Sequence, residues 1–168
     1  TDEEGRYLCV RQFRQGIKEI TTEFPAGGIE RKDGRPYGEK RSFSAEDALE
    51  AAKRELREEL GAETEVLRKI GVVSDYYNLI HRHNINNYYL CRVRSFGEKH
   101  LTQDEIVSFH LSTLKLRYEE AVSEYEKCSG TKLGRLIANR ELPVLKRAKE
   151  IIDAWDLQIE KTDEEGSD

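Results

Sequence analysis

The amino-acid sequence predicts an α/β (α+β) fold, a mixed β-sheet with helices packed on it. Three observations carry this expectation. Runs of strand formers, such as Tyr7–Arg14 and Asn87–Arg94, alternate with stretches in which Ala, Leu, Ile and Val recur at helical spacing. One of those stretches, Ala45–Leu60, has both a start and a stop signal. No internal repeat or low-complexity linker divides the 168 residues, a length that suits one core. Residues 1–158 are expected to form a single domain, with 159–168 as a flexible C-terminal tail.

In chain order, Tyr7–Arg14 reads as a strand, and Ile17–Phe24 as a second after the Gln15-Gly16 break. Pro25-Ala26-Gly27-Gly28 ends extended structure, and Arg31–Phe43, with Gly34, Pro36, Gly38 and five basic residues, reads as an exposed loop. Ser44 is a good N-cap with Asp47 three residues on. Ala45–Leu60 then has no Gly, Pro or β-branched residue before Gly61 stops it. Strands are expected at Glu65–Ser74, Asn87–Arg94 and Ile106–Leu111, with an irregular polar and aromatic loop, Asp75–Asn86, between the first two. Arg117–Lys127 and Leu133–Trp155 read as helices, the latter interrupted at Pro143.

Composition excludes several classes. With 36% charged and 37% hydrophobic residues, the chain is neither a disordered polymer nor a membrane span. No run approaches the roughly 18–20 apolar residues of a spanning helix, and Thr1-Asp2-Glu3-Glu4 lacks the basic-then-apolar start of a secretory signal, so a cytoplasmic setting is expected. Cys9, Cys91 and Cys128 lie far apart with no Cys-x-x-Cys spacing, which suggests neither a zinc cluster nor a disulfide framework. The net charge of -5 has the wrong sign for broad nucleic-acid binding.

The distribution of acids is more informative than their number. Six of the 33 (Glu46, Asp47, Glu50, Glu55, Glu58 and Glu59) fall in the Ala45–Leu60 helix. At 100° per residue, Glu55, Glu58 and Glu59 share an arc of roughly 100°, while Leu49, Leu56 and Leu60 form a core stripe on the far side. Ala48, Ala51 and Ala52 continue the acidic side, where small side chains would let another backbone segment lie. The like-charged pairs cost about 0.2–0.5 kcal/mol each in an isolated helix, and Arg54 reaches only Glu58 at i+4. Clustered carboxylate oxygens suit a hard divalent cation, Mg²⁺ or Mn²⁺. The alternative reading is a solvated acidic face.

The string Arg54-Glu55-Leu56-Arg57-Glu58-Glu59-Leu60-Gly61, with Glu46 eight residues before the Arg, resembles the Nudix box. Glu23-Phe24-Pro25-Ala26-Gly27-Gly28 is similar to the Glu-Leu-Pro-Ala-Gly segment that precedes the box in ADP-ribose pyrophosphatase-like members, and Arg11-Gln12-Phe13-Arg14 to their Arg-Gln-Tyr-Arg strand. The resemblance covers roughly residues 6–112 and implies an α/β/α sandwich. Two departures stand out. The family pattern allows five residues between Gly28 and Glu46, whereas residues 29–45 stand here, an insertion of 12, and Ala62 occupies the last aliphatic position. The chain also aligns from the turn after the family's first strand, which implies a further N-terminal segment.

The resemblance implies hydrolysis of a nucleoside diphosphate linked to another moiety, with Mg²⁺ or Mn²⁺ neutralising the pyrophosphate and activating the attacking water. It implies Glu55 and Glu59 as principal metal ligands, Glu58 as a further ligand or base, and the Ala26 carbonyl as a ligand. Arg54 would orient the glutamates, and Glu46 and Gly61 would be structural. Gln103-Asp104-Glu105 occupies the place of a late-loop carboxylate, so Glu105 or Asp104 is the candidate base, the alternative being a strand-entry turn. Arg14, Arg11, Glu23, Gly27, Gly28 and His81 are the candidate substrate contacts. For Arg31, Lys32, Arg35, Lys40 and Arg41 a phosphate-contacting loop stands against a solvated one. The Tyr76–Asn84 segment reads as a base- or ribose-binding loop or as ordinary surface, and His81-x-His83 as ordinary loop residues rather than a metal pair.

The expected partner is thus a nucleotide-derived small molecule, ADP-ribose or a nucleotide sugar first, with no membrane and no nucleic acid. Relatives of the ADP-ribose type commonly pair as homodimers. The competing readings are a non-catalytic Nudix-like nucleotide sensor and a nucleoside triphosphate diphosphatase.

Overall fold

The computed structural model describes residues 1–15, 18–26, 44–77 and 82–165. Strand β1 (Tyr7–Arg14) pairs antiparallel with β2 (Glu19–Glu23) on one side, Val10 opposite Glu23 and Arg14 opposite Glu19. On its other side it pairs antiparallel with β5 (Ser112–Leu116), Tyr7 opposite Leu116. Helix α1 (Ala45–Leu60) precedes a long antiparallel hairpin, β3 (Ala62–Tyr77) and β4 (Arg82–Phe96). A short helix α2 (Gln103–Val107) leads into β5, and α3 (Tyr118–Cys128) and α4 (Lys132–Glu165) close the chain.

β1 explains the layering. Tyr7, Leu8, Cys9 and Val10 are all buried, the signature of a strand covered on both faces rather than one. Leu8 and Val10 pack with Leu56, Leu60, Ala62 and Val93 on the α1 side. Tyr7 packs with Tyr125, Ile137, Ala138, Leu145 and Ala148 of α3 and α4 on the other. Helix, sheet and helix therefore stack as an α/β/α sandwich of the α+β class, and the pairings among the described residues are antiparallel. No helix among them is long and apolar enough to cross a membrane.

Several elements depart from the sequence expectation. Ile106–Leu111 is not a strand: residues 103–107 are helical, and the strand follows at Ser112–Leu116. Thr102 and Glu105 form a capping box that nucleates α2, and this local signal overrides the β-branched pair Ile106 and Val107, which are 52% and 55% exposed. The predicted loop Asp75–Asn86 is largely strand, with pairing continuing to Tyr77 opposite Arg82. Its polarity had masked it. Here cross-strand polar pairs replace apolar alternation, with Asn84 Nδ2 donating to Asp75 Oδ1 at 3.0 Å and Asn86 Nδ2 to Asp75 Oδ2 at 3.3 Å.

Pro143 does not interrupt α4. Pro143 and Asn139, whose carbonyl loses its i+4 donor, both lie on the exposed side, where water can serve that carbonyl.

Candidate active site

α1 forms where the sequence places it. Ser44 and Asp47 make a reciprocal capping box, with Asp47 N–H donating to Ser44 Oγ at 3.1 Å and Ser44 N–H to Asp47 Oδ2 at 3.0 Å. Gly61 ends the helix at φ +64°, and a Cβ there would stand 2.4 Å from the Gly97 carbonyl oxygen, so only glycine fits both the left-handed turn and the close approach. The chain after β4 returns to this end. Gly97 N–H donates to the Gly61 carbonyl at 2.7 Å and His100 N–H to that of Glu58 at 2.9 Å, fixing the turn that carries the acids.

The acidic arc is graded. Glu58 is 46% exposed at its side chain and Glu55 15%, while Glu59 is buried, as are Ala48 and Ala51 on the same side. That side is therefore covered, as the small residues led one to expect, and it is not a solvated face. Arg54 holds two of the acids, its Nη2 donating to Glu55 Oε1 at 3.0 Å and its Nε lying 3.8 Å from Glu58 Oε2. Glu59 Oε2 is buried with no hydrogen-bond partner among the described residues. Burial, then the negative charges of Glu55, Glu105 and Glu23, push the Glu59 carboxyl from the usual 4.5 up to about 8, with Arg14 opposing.

β1 and β2 face this helix with a second set. Glu23 Oε1 accepts from Arg14 Nη2 at 2.6 Å, Thr21 Oγ1 at 2.7 Å and Gln12 Nε2 at 3.2 Å. The antiparallel register aligns these residues on one face, Gln12 opposite Thr21 and Val10 opposite Glu23. Arg14 keeps its buried Nε without an acceptor among the described residues, an open donor on the β1–β2 face. Glu105, from α2, contributes to the field at Glu59 although its Oε2 also accepts from the Thr102 N–H and hydroxyl at 2.6 and 2.8 Å. Asp104 is exposed and is not among the largest charges acting on Glu59.

The structure thus gathers Glu55, Glu58, Glu59, Arg54, Glu23, Arg14 and Glu105 around one face of α1. It turns Arg11 elsewhere, to the opposite face of β1, where Nη2 donates to Glu124 Oε2 of α3 at 2.7 Å. Glu46 lies exposed in the first turn of α1, and Ala26 is exposed three residues beyond β2. Gly27, Gly28, His81 and the Arg31–Phe43 insertion lie outside the described residues. His83 takes part in the hairpin, 2.6 Å from Ser74 Oγ through Nε2.

The residues present fit a hard divalent cation: the donors are carboxylate oxygens, and Glu59 has an orphaned buried one. Among the described residues no three His, Cys, Asp or Glu side chains stand so that together they could hold a metal ion as placed. One group was missed by sequence reasoning. Arg140 and Glu141 of α4 reach Glu23 and the end of β2, with Arg140 Nη2 3.8 Å from Glu23 Oε2. The available signal was a glutamate on the apolar stripe of a helix, between Ile137 and Leu145.

The α/β/α fold, with one outer helix carrying an acidic face around a buried glutamate, defines a carboxylate-centred site. The family profile described as the NUDIX domain matches residues 1–127, and the chain belongs to the Nudix family as a Nudix hydrolase. Among solved structures it is similar to a NUDIX hydrolase from Nitrosomonas europaea, at 18% identity and a TM-score of 0.56, covering 84% of this chain and 83% of that one. That likeness bears on the fold. No curated protein matches the chain. Nudix hydrolases act on nucleotide-derived small molecules with divalent cations, and the chain is a Nudix pyrophosphohydrolase.

Proposed function

We propose that the substrate is a nucleoside diphosphate linked to a sugar, ADP-ribose or a nucleotide sugar, hydrolysed at the pyrophosphate with Mg²⁺ or Mn²⁺. The observation that carries the reading is Glu59, a buried carboxylate left with an unpartnered oxygen among other acids. Such a group is costly unless a cation joins it. The substrate class is supported by Glu23-Phe24-Pro25-Ala26-Gly27-Gly28, which resembles the segment of ADP-ribose pyrophosphatase-like members, and by Arg14, whose open Nε suits a phosphate or ribose oxygen.

Glu55, Glu58, Glu59 and the Ala26 carbonyl would hold the cation, which when bound neutralises pyrophosphate oxygens and acidifies water. Arg54 keeps Glu55 and Glu58 oriented through the contacts described. Glu105 is the base: it takes the proton of the attacking water as the new P–O bond forms and the bridging P–O bond breaks. ADP-ribose then gives AMP and ribose 5-phosphate. Its capping bond to Thr102 would loosen as it takes that proton.

The test is a Mg²⁺-dependent panel of dinucleotides, nucleotide sugars and nucleoside triphosphates with product identification. Release of AMP from ADP-ribose is the expected result. Preferred release of pyrophosphate from triphosphates would move the protein to the diphosphatase class, and tight nucleotide binding with no product over hours would make it a sensor.

A further inference from the structure

Glu141 is 2% exposed and lies beyond the residues matched by the family profile. A buried carboxylate is tolerated when donors meet its oxygens, and here they do. Tyr125 Oη donates to Oε2 at 2.6 Å, the Phe24 backbone N–H donates to the same oxygen at 2.8 Å, and Arg140 Nη2 donates to Oε1 at 2.7 Å. An apolar residue would fill this place as Ile137, Leu145 and Ala148 fill theirs nearby. What an apolar residue lacks is an acceptor for Phe24.

Phe24 is the first residue past β2, and from it the chain runs through Pro25, which has no N–H, to Ala26. Its ring is also held, tilted against Tyr125 at 5.8 Å and edge-on to Tyr88 at 6.4 Å. Arg140 adds a side-chain arm: besides Glu141 it stands 3.8 Å from Glu23 Oε2 and 3.4 Å from Asp75 Oδ2.

We propose that Glu141 and Arg140 are positioning residues for the active site, Glu141 fixing the path by which the chain leaves β2 toward Ala26 and Arg140 steadying Glu23. This rests on the reading that Glu23 and the Ala26 carbonyl belong to that site. The full chain is compared with Glu141→Leu, which removes the acceptor, and Glu141→Gln, which keeps a carbonyl for the Phe24 amide. The measurements are exchange of the Phe24 amide, Mn²⁺ affinity from the spin-resonance signal of the free ion, melting temperature, and kcat and KM on ADP-ribose.

In Glu141→Leu the Phe24 amide should exchange about tenfold faster or more. Mn²⁺ affinity and kcat should each fall about tenfold, the effect typical of residues that orient ligands, with KM nearly unchanged. Glu141→Gln should restore amide protection and most of kcat. A folded Glu141→Leu with a protected Phe24 amide and unaltered kcat and Mn²⁺ affinity overturns the proposal. If Glu141→Leu does not fold, Arg140→Met takes its place: lowered kcat with a melting point near that of the parent supports the assignment, and unaltered kcat and Mn²⁺ affinity overturn it. If the parent protein hydrolyses nothing, the substrate reading fails, while the exchange and Mn²⁺ measurements still decide the positioning role.

Discussion

Glu59 and Glu141 are both buried, 7% and 2% exposed, and in both burial is the largest force pushing the carboxyl above its usual range. Their surroundings are opposite. Glu141 meets a hydroxyl, a backbone N–H and a guanidinium, so each oxygen has a donor. Glu59 meets the charges of Glu55, Glu105 and Glu23, and its Oε2 has no partner. A satisfied buried acid is complete within the fold, whereas an unsatisfied one among like charges is costly until a cation joins it. The two sites are joined, since Arg140 touches Glu141 and stands within 3.8 Å of Glu23.

The largest effect expected from breaking this contrast is at Glu59. Glu59→Gln removes the charge that a cation would meet and should lower kcat by at least about 100-fold. The protein should remain folded, because no hydrogen bond to Oε2 is lost. Steady-state hydrolysis with circular dichroism alongside checks both halves, and activity near that of the parent would remove Glu59 from the cation site.

Next comes the choice between neighbouring acids on α2. Glu105 is one of the main charges acting on Glu59, whereas Asp104 is exposed and not among them, so Glu105→Gln should lower kcat by about 100-fold while Asp104→Asn leaves it within about twofold. The pH–rate profile distinguishes a base from a cap. Loss of the base removes the acidic limb of the profile, whereas loss of the Thr102 cap alone lowers melting temperature and leaves the limb in place.

These residues differ in how far the sequence revealed them. The α1 site was legible because its determinants are local: Ser44 and Asp47 start the helix, Gly61 ends it, and the 3.6-residue period alone sets Glu55, Glu58 and Glu59 on one side. That this side is covered could be read from Ala48, Ala51 and Ala52, but what covers Glu59 could not, since it depends on β1, β2 and α2 meeting that side. Glu141 was less legible still, because its role depends on Phe24, 117 residues away, and a helical period reports only that a glutamate stands on an apolar stripe. α2 and the hairpin mark a second boundary. Thr102 and Glu105 formed a helix where β-branched residues suggested a strand, and polar cross-strand pairs built strands where polarity suggested a loop.

The contrast also predicts a pH dependence for the metal-free protein. The Glu59 carboxyl is raised from 4.5 to about 8 in the fold, so between those values the native state holds a proton that the unfolded chain has released. Its contribution is fully present below pH 4.5 and is lost as pH rises toward 8. In Glu59→Gln this component is absent, so thermal melts of the two proteins should diverge with rising pH. At pH 8 the variant should be the more stable, by up to about 4 kcal/mol. Mg²⁺ should raise the melting point of the parent more at pH 8 than at pH 5, because the ionised carboxylate is the form that binds it.

The smallest expected effect sharpens the contrast from the Glu141 side. Tyr125→Phe deletes one donor to Glu141 Oε2 and leaves two, the Phe24 amide on the same oxygen and Arg140 on the other. The ring, fully buried against Phe24 and the α4 residues, keeps its packing. Removal of a buried hydroxyl whose acceptor retains another donor costs about 1 kcal/mol, or roughly 2–4 °C in melting temperature for a chain of this length. Activity should stay near that of the parent, because the bond that fixes Phe24 is intact. A Tyr125→Phe protein that melts normally and loses kcat would mean that the hydroxyl itself, and not the Phe24 amide, carries the influence of Glu141 to the active site.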